Sequence, residues 1–207
     1  MNRTMRALLV ALVSASAIVA FAAGASARTL RVDEQRFDLK WTETVPLRMI
    51  VGANTISCPI TLRGRFESAL INKTVTRIGE INTVIQEEAR CAGLVIFRAS
   101  ATLPWEVMYE AFTGTLPNIT SMRVQLLRAS FTRPATGCNY VSEAGKPFKA
   151  TFNRNTANGE LREITPDSTA GINGTGAAGC EFTTATFGTA GTPSRQASTN
   201  KILMTLI

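Results

Sequence analysis

The stretch "TLPWEVMYEAFTGTLPNIT" (102–120) gathers the side chains best suited to chemistry. Glu106 and Glu110 stand four residues apart, beside Trp105 and Tyr109. Two carboxyls about 5–9.5 Å apart can hydrolyse a glycosidic bond, one as acid and one as nucleophile or base. Along one strand, residues i and i+4 are about 13 Å apart, at about 3.3 Å per residue. A catalytic pair would therefore have to be assembled across strands. Binding is the second chemistry. Trp41, Trp105 and Tyr109 could offer flat faces to a sugar ring, with Glu106 and Glu110 as neighbouring ligand contacts. Burial in a core is the competing fate of each ring, and the commoner one for large aromatics.

The chain has no histidine. That excludes Ser-His-Asp and Cys-His relays, removes histidine-ligated metal, and takes away the usual general base near neutral pH. Hard-oxygen metal sites need clustered acids, and of the three aspartates, Asp33, Asp38 and Asp167, the last stands alone in a Gly-rich segment. The segment "DSTAGINGTG" from Asp167 lacks the alternating acids of a calcium loop and reads as a turn. No catalytic residue, metal or cofactor is expected.

Four cysteines remain, Cys58, Cys91, Cys138 and Cys180. Their spacing lacks the close pairs of a zinc site, and an even count in an exported chain argues for disulfides. Three pairings can be drawn. The sequential one, Cys58–Cys91 with Cys138–Cys180, is favoured because it joins partners near in sequence. Each bridge would stabilise by about 4 kcal/mol at most in the loop-entropy account.

Export is read from the N-terminus. Arg3 and Arg6 precede an apolar run from Ala7 to Ala23, and Ala25-Ser26-Ala27 is a small-residue cleavage pattern. Residues 1–27 are therefore expected to be a secretory signal peptide. An uncleaved anchor is the competing reading, and the run is short for a span that needs about 20 residues. Membrane contact is expected only through that segment. Residues 28–207 are expected to form a single β-rich domain. The formal charge is +7, but the arginines are scattered, so no nucleic-acid partner is expected. An anionic cell-surface polymer or a glycan is the partner class left open.

The elements that must position these residues are strands. In "PITLRGRFE" (59–67), Ile60, Leu62, Gly64 and Phe66 fall on one face and Thr61, Arg63, Arg65 and Glu67 on the other. "VPLRMIV" (45–51), "KPFKATFN" (146–153), "SMRVQLLRASF" (121–131) and "KILMTLI" (201–207) alternate similarly, and "GLVIFRA" (93–99) is continuously apolar. "WEVMYEAF" (105–112) is read as a strand with Trp105, Val107, Tyr109 and Ala111 together, opposite Glu106, Met108, Glu110 and Phe112. At period 3.6 Trp105, Met108, Tyr109 and Phe112 also align, between Pro104 and Gly114, so a helix competes there, as it does in "EINTVIQEEARCAG" (80–93). Segment 165–200 is rich in Gly, Thr, Ala and Ser and reads as a loop pinned by Cys180, then a strand, then a mobile connection. The expected fold is all-β, a disulfide-stapled antiparallel sandwich or barrel.

"LPWEVMYEAFTGTLPNIT" resembles a segment of uncharacterised secreted proteins of actinobacteria, in which Leu-Pro-Trp, an alternating strand and "GTLPNI" recur. The resemblance covers Thr102 to Phe131. It implies a secreted, β-rich domain with paired cysteines and carries no activity or site residues with it. The Ala-rich, Arg-over-Lys composition fits a GC-rich bacterial genome. The functional expectation is an exported, non-enzymatic β-domain, a structural or interaction module of the cell envelope or extracellular space. The alternatives are a secreted domain binding a glycan or lipid-like ligand and, third, a carboxylate-pair hydrolase.

Overall fold

A computed structural model describes residues 29–72, 77–86, 90–91, 98–99, 103–115, 118–133, 136–180 and 184–206. Eighteen strands are found among them. The first nine are β1 (Thr29–Val32), β2 (Arg36–Trp41), β3 (Leu47–Val51), β4 (Asn54–Cys58), β5 (Ile60–Phe66), β6 (Leu70–Asn72), β7 (Arg77–Gln86), β8 (Arg98–Ala99) and β9 (Trp105–Thr115). The rest are β10 (Asn118–Leu127), β11 (Ser130–Arg133), β12 (Cys138–Val141), β13 (Phe148–Arg154), β14 (Leu161–Pro166), β15 (Ile172–Gly176), β16 (Thr184–Gly188), β17 (Thr192–Arg195) and β18 (Met204–Leu206). The described residues contain no α-helix, and so none long and apolar enough to cross a membrane.

The strands form three antiparallel sheets. The largest has eight strands in the order β14-β13-β10-β9-β7-β5-β2-β17. Its two ends meet: Ile164 and Gly191 exchange backbone hydrogen bonds of 2.9 and 2.8 Å, so the sheet curls into a nearly closed barrel. Against it lies a seven-stranded sheet, β4-β3-β16-β15-β12-β11-β8, and a small sheet, β18-β1-β6, pairs the first described strand with the last. Closing the large sheet removes the exposed edges that would otherwise template aggregation.

Aromatic side chains fill both layers. Inside the curled sheet Phe37 and Phe66 have ring centroids 4.8 Å apart, and Phe66 reaches Phe152 of β13 at 6.5 Å. β5 and β13 stand four places apart in the strand order, so only curling brings Phe66 and Phe152 together. Between the sheets, Trp105 of β9 meets Phe131 of β11 at 5.4 Å, and Phe187 of β16 meets Phe148 of β13 at 4.7 Å. Such pairs contribute about 0.5–1.5 kcal/mol beyond their area.

The alternating segments bury the faces expected of them. Ile60, Leu62 and Phe66 are buried, as are Met122, Val124 and Leu126, and Phe148, Ala150 and Phe152. Gly64 completes the first set because Phe37, its partner across the ladder, occupies the space a side chain would need. A Cβ at position 64 would lie 2.6 Å from the Phe37 ring and 2.4 Å from the Glu80 carbonyl oxygen. Gly64→Ala is therefore expected to lower stability by about 1–3 kcal/mol through overpacking. A urea-unfolding midpoint that does not move would show that the strand yields instead.

Three segments differ from the sequence reading. Of the segment 80–93 where a helix competes, the described residues 80–86 are strand: they belong to β7, paired with β5 along their length and with β9 at Glu80 and Ile81. Ile78 is an extra residue opposite β9 and Asn82 one opposite β5, and these bulges blur the period-two signal. In β9 the register skips Glu110, so Tyr109 pairs with Val124 and Ala111 with Arg123. The alternation flips there, and Phe112, rather than Ala111, joins Trp105, Val107 and Tyr109 against the core. Segment 165–200, finally, is not a loop around one strand. It supplies β15, β16 and β17, with Ile172, Ala185 and Phe187 buried and threonines turned outward. Of the apolar run 93–99, only Arg98 and Ala99 are among the described residues, as a short strand. The signal segment 1–27 lies outside them.

Candidate functional site

The tryptophans are framework. Trp105 is wholly buried where the two sheets meet, and Trp41 is 3% exposed. Trp41 donates its Nε1–H to the Thr189 carbonyl at 2.9 Å, and its ring lies flat against Gly191, the residue that closes the barrel. Thr189 holds its carbonyl there from a left-handed backbone, φ 72°, a strained conformation for a β-branched residue. Tyr109 is half-buried, and burial pushes its hydroxyl pKa up. None of the three rings is displayed as a sugar platform.

The two glutamates belong to separate charge networks on the outer wall of the barrel. Glu106 sits 3.9 Å from Arg77, which also reaches Glu67 at 2.7 Å and Glu80 at 3.1 Å. Glu80 is held in turn by Arg65 at 3.0 Å. Glu110, pushed out at the bulge, accepts a 2.8 Å hydrogen bond from Lys149. Burial opposes its ionisation, but the hydrogen bond and charge of Lys149, a hydrogen bond from Gln125 and the charge of Arg123 outweigh that. The carboxyl therefore titrates below its ordinary range. A depressed carboxylate stabilises the fold above the ordinary carboxylate range, and that contribution is lost as the pH falls through the folded-state titration. Glu110→Gln is thus expected to flatten part of the acid limb of the stability–pH curve. Urea midpoints from neutral to acid pH measure this, and superimposable limbs for the two proteins would refute it.

Asp167 is a turn residue, as its sequence context suggested. Its Oδ1 accepts from the Thr169 hydroxyl at 2.6 Å and the Thr169 amide at 2.9 Å, and these bonds hold its pKa low. No group of acids or cysteines among the described residues could hold a metal ion. Cys58 is bonded to Cys91 and Cys138 to Cys180, the sequential pairing. Two disulfides are compatible with an oxidising, extracellular environment.

Two kinds of surface remain. A cleft of about 440 Å³ opens beside Trp41, floored by Pro59, Ile60 and Ile85 and rimmed by Lys40, Glu43 and Arg90. Glu43 and Arg90 form an ion pair across its mouth. The second is the outward face of the seven-stranded sheet. β16 turns out Thr184 and Thr186, β15 Asn173 and Thr175, β12 Asn139, β11 Thr132, and β4 Thr55 and Ser57. β3 adds Ile50 and Arg48. The contrast with the barrel wall is sharp, since that wall carries Lys40, Arg63, Arg65, Glu80, Glu106, Glu110 and Lys149. Sequence reasoning passed over the uncharged face. Its signal, alternating threonines in "CEFTTATFG", sits within a stretch whose composition imitates a linker.

Compared with protein-family models, with curated proteins and with solved structures, the chain matches none of them.

Proposed function

We propose that the chain is an exported, non-enzymatic β-domain that acts as an interaction module in a bacterial cell envelope or extracellular space. The observation that carries this reading is where the chemically capable side chains lie. Trp41 and Trp105 are committed to the core and Glu106 and Glu110 to separate ion pairs, so what the fold displays is sheet surface. The two disulfides, the Arg3–Ala27 export pattern and the resemblance of 102–131 to secreted actinobacterial proteins support the same reading. The cleft beside Trp41 favours a second reading, a small-ligand binder.

The test is expression of the whole chain in a bacterial host, followed by fractionation and intact-mass measurement. The expected result is a protein cleaved after Ala27, oxidised at all four cysteines and sedimenting with envelope material. An uncleaved, reduced protein in the cytosol would overturn the reading.

A further inference from the structure

We infer that the outward face of the seven-stranded sheet is a docking surface for a neutral, hydroxyl-rich polysaccharide. The inference rests on the interaction-module reading and names that module's partner class.

The first argument is charge. A soluble surface ordinarily carries about 25–35% charged side chains. On β3, β4, β11, β12, β15 and β16, the charged side chain among the described outward positions is Arg48; on the edge strand β8, Arg98 stands in register with Thr132. An anionic polymer would find almost nothing to neutralise here. A protein partner would find no tryptophan or tyrosine to anchor it among those positions, and such anchors dominate protein interfaces. The uncharged threonine hydroxyls can accept hydrogen bonds and the asparagine amide nitrogens can donate them, which suits sugar hydroxyls.

The second argument is order. Thr132 donates its hydroxyl to Asn139 Oδ1 at 2.7 Å, and Thr184 donates to Asn173 Oδ1 at 3.2 Å. The Thr175 hydroxyl bonds the Asn139 carbonyl at 3.2 Å. These bonds fix both asparagines through their oxygens and leave the amide nitrogens as donors. Groups already held in place lose less freedom on binding. Strands about 4.8 Å apart, with alternate residues about 6.6 Å apart along each, present such groups at regular intervals. Across six strands the array extends about 24 Å. Each contact is weak alone, and a polymer that meets many of them gains by multivalency.

The test is co-sedimentation of the oxidised, mature protein with insoluble cellulose, chitin and granular starch, with soluble polygalacturonate as anionic competitor. Three variants accompany it: T175K/T184K and T175S/T184S on the face, and T83K on the barrel wall. The inference expects binding to at least one neutral polymer. T175K/T184K should weaken it at least tenfold, T83K and T175S/T184S should retain it, and polygalacturonate should compete poorly. Unchanged melting temperatures would separate a lost surface from a lost fold. Binding by T175K/T184K equal to wild type, or no binding to any neutral polymer, would overturn the inference. In either case, sedimentation with envelope material would leave the interaction-module reading standing, whereas its failure too would remove both.

Discussion

Arg63→Ala is expected to destabilise the protein by about 3–5 kcal/mol, the range for stranding a buried charge. Asp38 is wholly buried, although it points to the outer wall of the barrel. Arg63 Nε covers it at 3.1 Å, the Ala197 amide donates to its Oδ2 at 3.2 Å, and Lys40 lies at 3.9 Å. Without Arg63 the carboxylate keeps one hydrogen bond and a distant cation. The reverse loss is milder, because the Arg63 side chain is 32% exposed and can turn to water. The double variant R63A/D38N should therefore be more stable than R63A alone, since neutralising position 38 removes the stranded charge. Urea unfolding of the variants gives the cycle. If R63A/D38N were less stable than R63A, the stranded-charge account would fail.

The second large effect concerns Trp105, and it depends on what replaces the ring. Trp105→Ala should cost about 3–5 kcal/mol, because it empties the junction between the sheets. Trp105→Phe should cost far less than its change in volume suggests. The indole Nε1–H is buried with no hydrogen-bond partner, and an orphaned buried donor carries a penalty of about 1–3 kcal/mol. Phenylalanine removes that donor and keeps a ring against Phe131. Thermal melts of the two variants decide the matter, and equal losses would show that the indole donor is satisfied in solution.

Much of the fold could be read from alternation alone. β5, β13 and, beyond its bulge at Thr120, β10 announce themselves because each alternates regularly and is half-buried. The failures have physical causes. β7 carries two bulges, so its apolar residues drift from one face to the other and imitate helical spacing. In β9 a single bulge at Glu110 exchanges the roles of Ala111 and Phe112, which no periodicity count can anticipate. In 165–200 the alternation of "CEFTTATFG" marks β16, but the Gly-, Thr- and Ser-rich composition on either side hides β15 and β17, which read as loop and connection. The site suffered similarly. Trp and Glu drew notice as chemically capable types, yet the packing of Trp41 on Gly191 and of Lys149 on Glu110 depends on strands distant in sequence. The outward threonines became visible only once β12, β15, β16, β3 and β4 were laid side by side.

The two disulfides also determine what a protease can do to this molecule. One encloses the chain from Cys58 to Cys91, the other from Cys138 to Cys180. A single cut between residues 59 and 90, or between 139 and 179, yields two peptides that stay covalently joined. The second interval contains the exposed 156–158 turn, an inviting place for a nick. A molecule cut there keeps its two pieces joined and remains one band until reductant is added. For a protein read as living among extracellular proteases, the bridges thus preserve a working surface after the backbone has been broken.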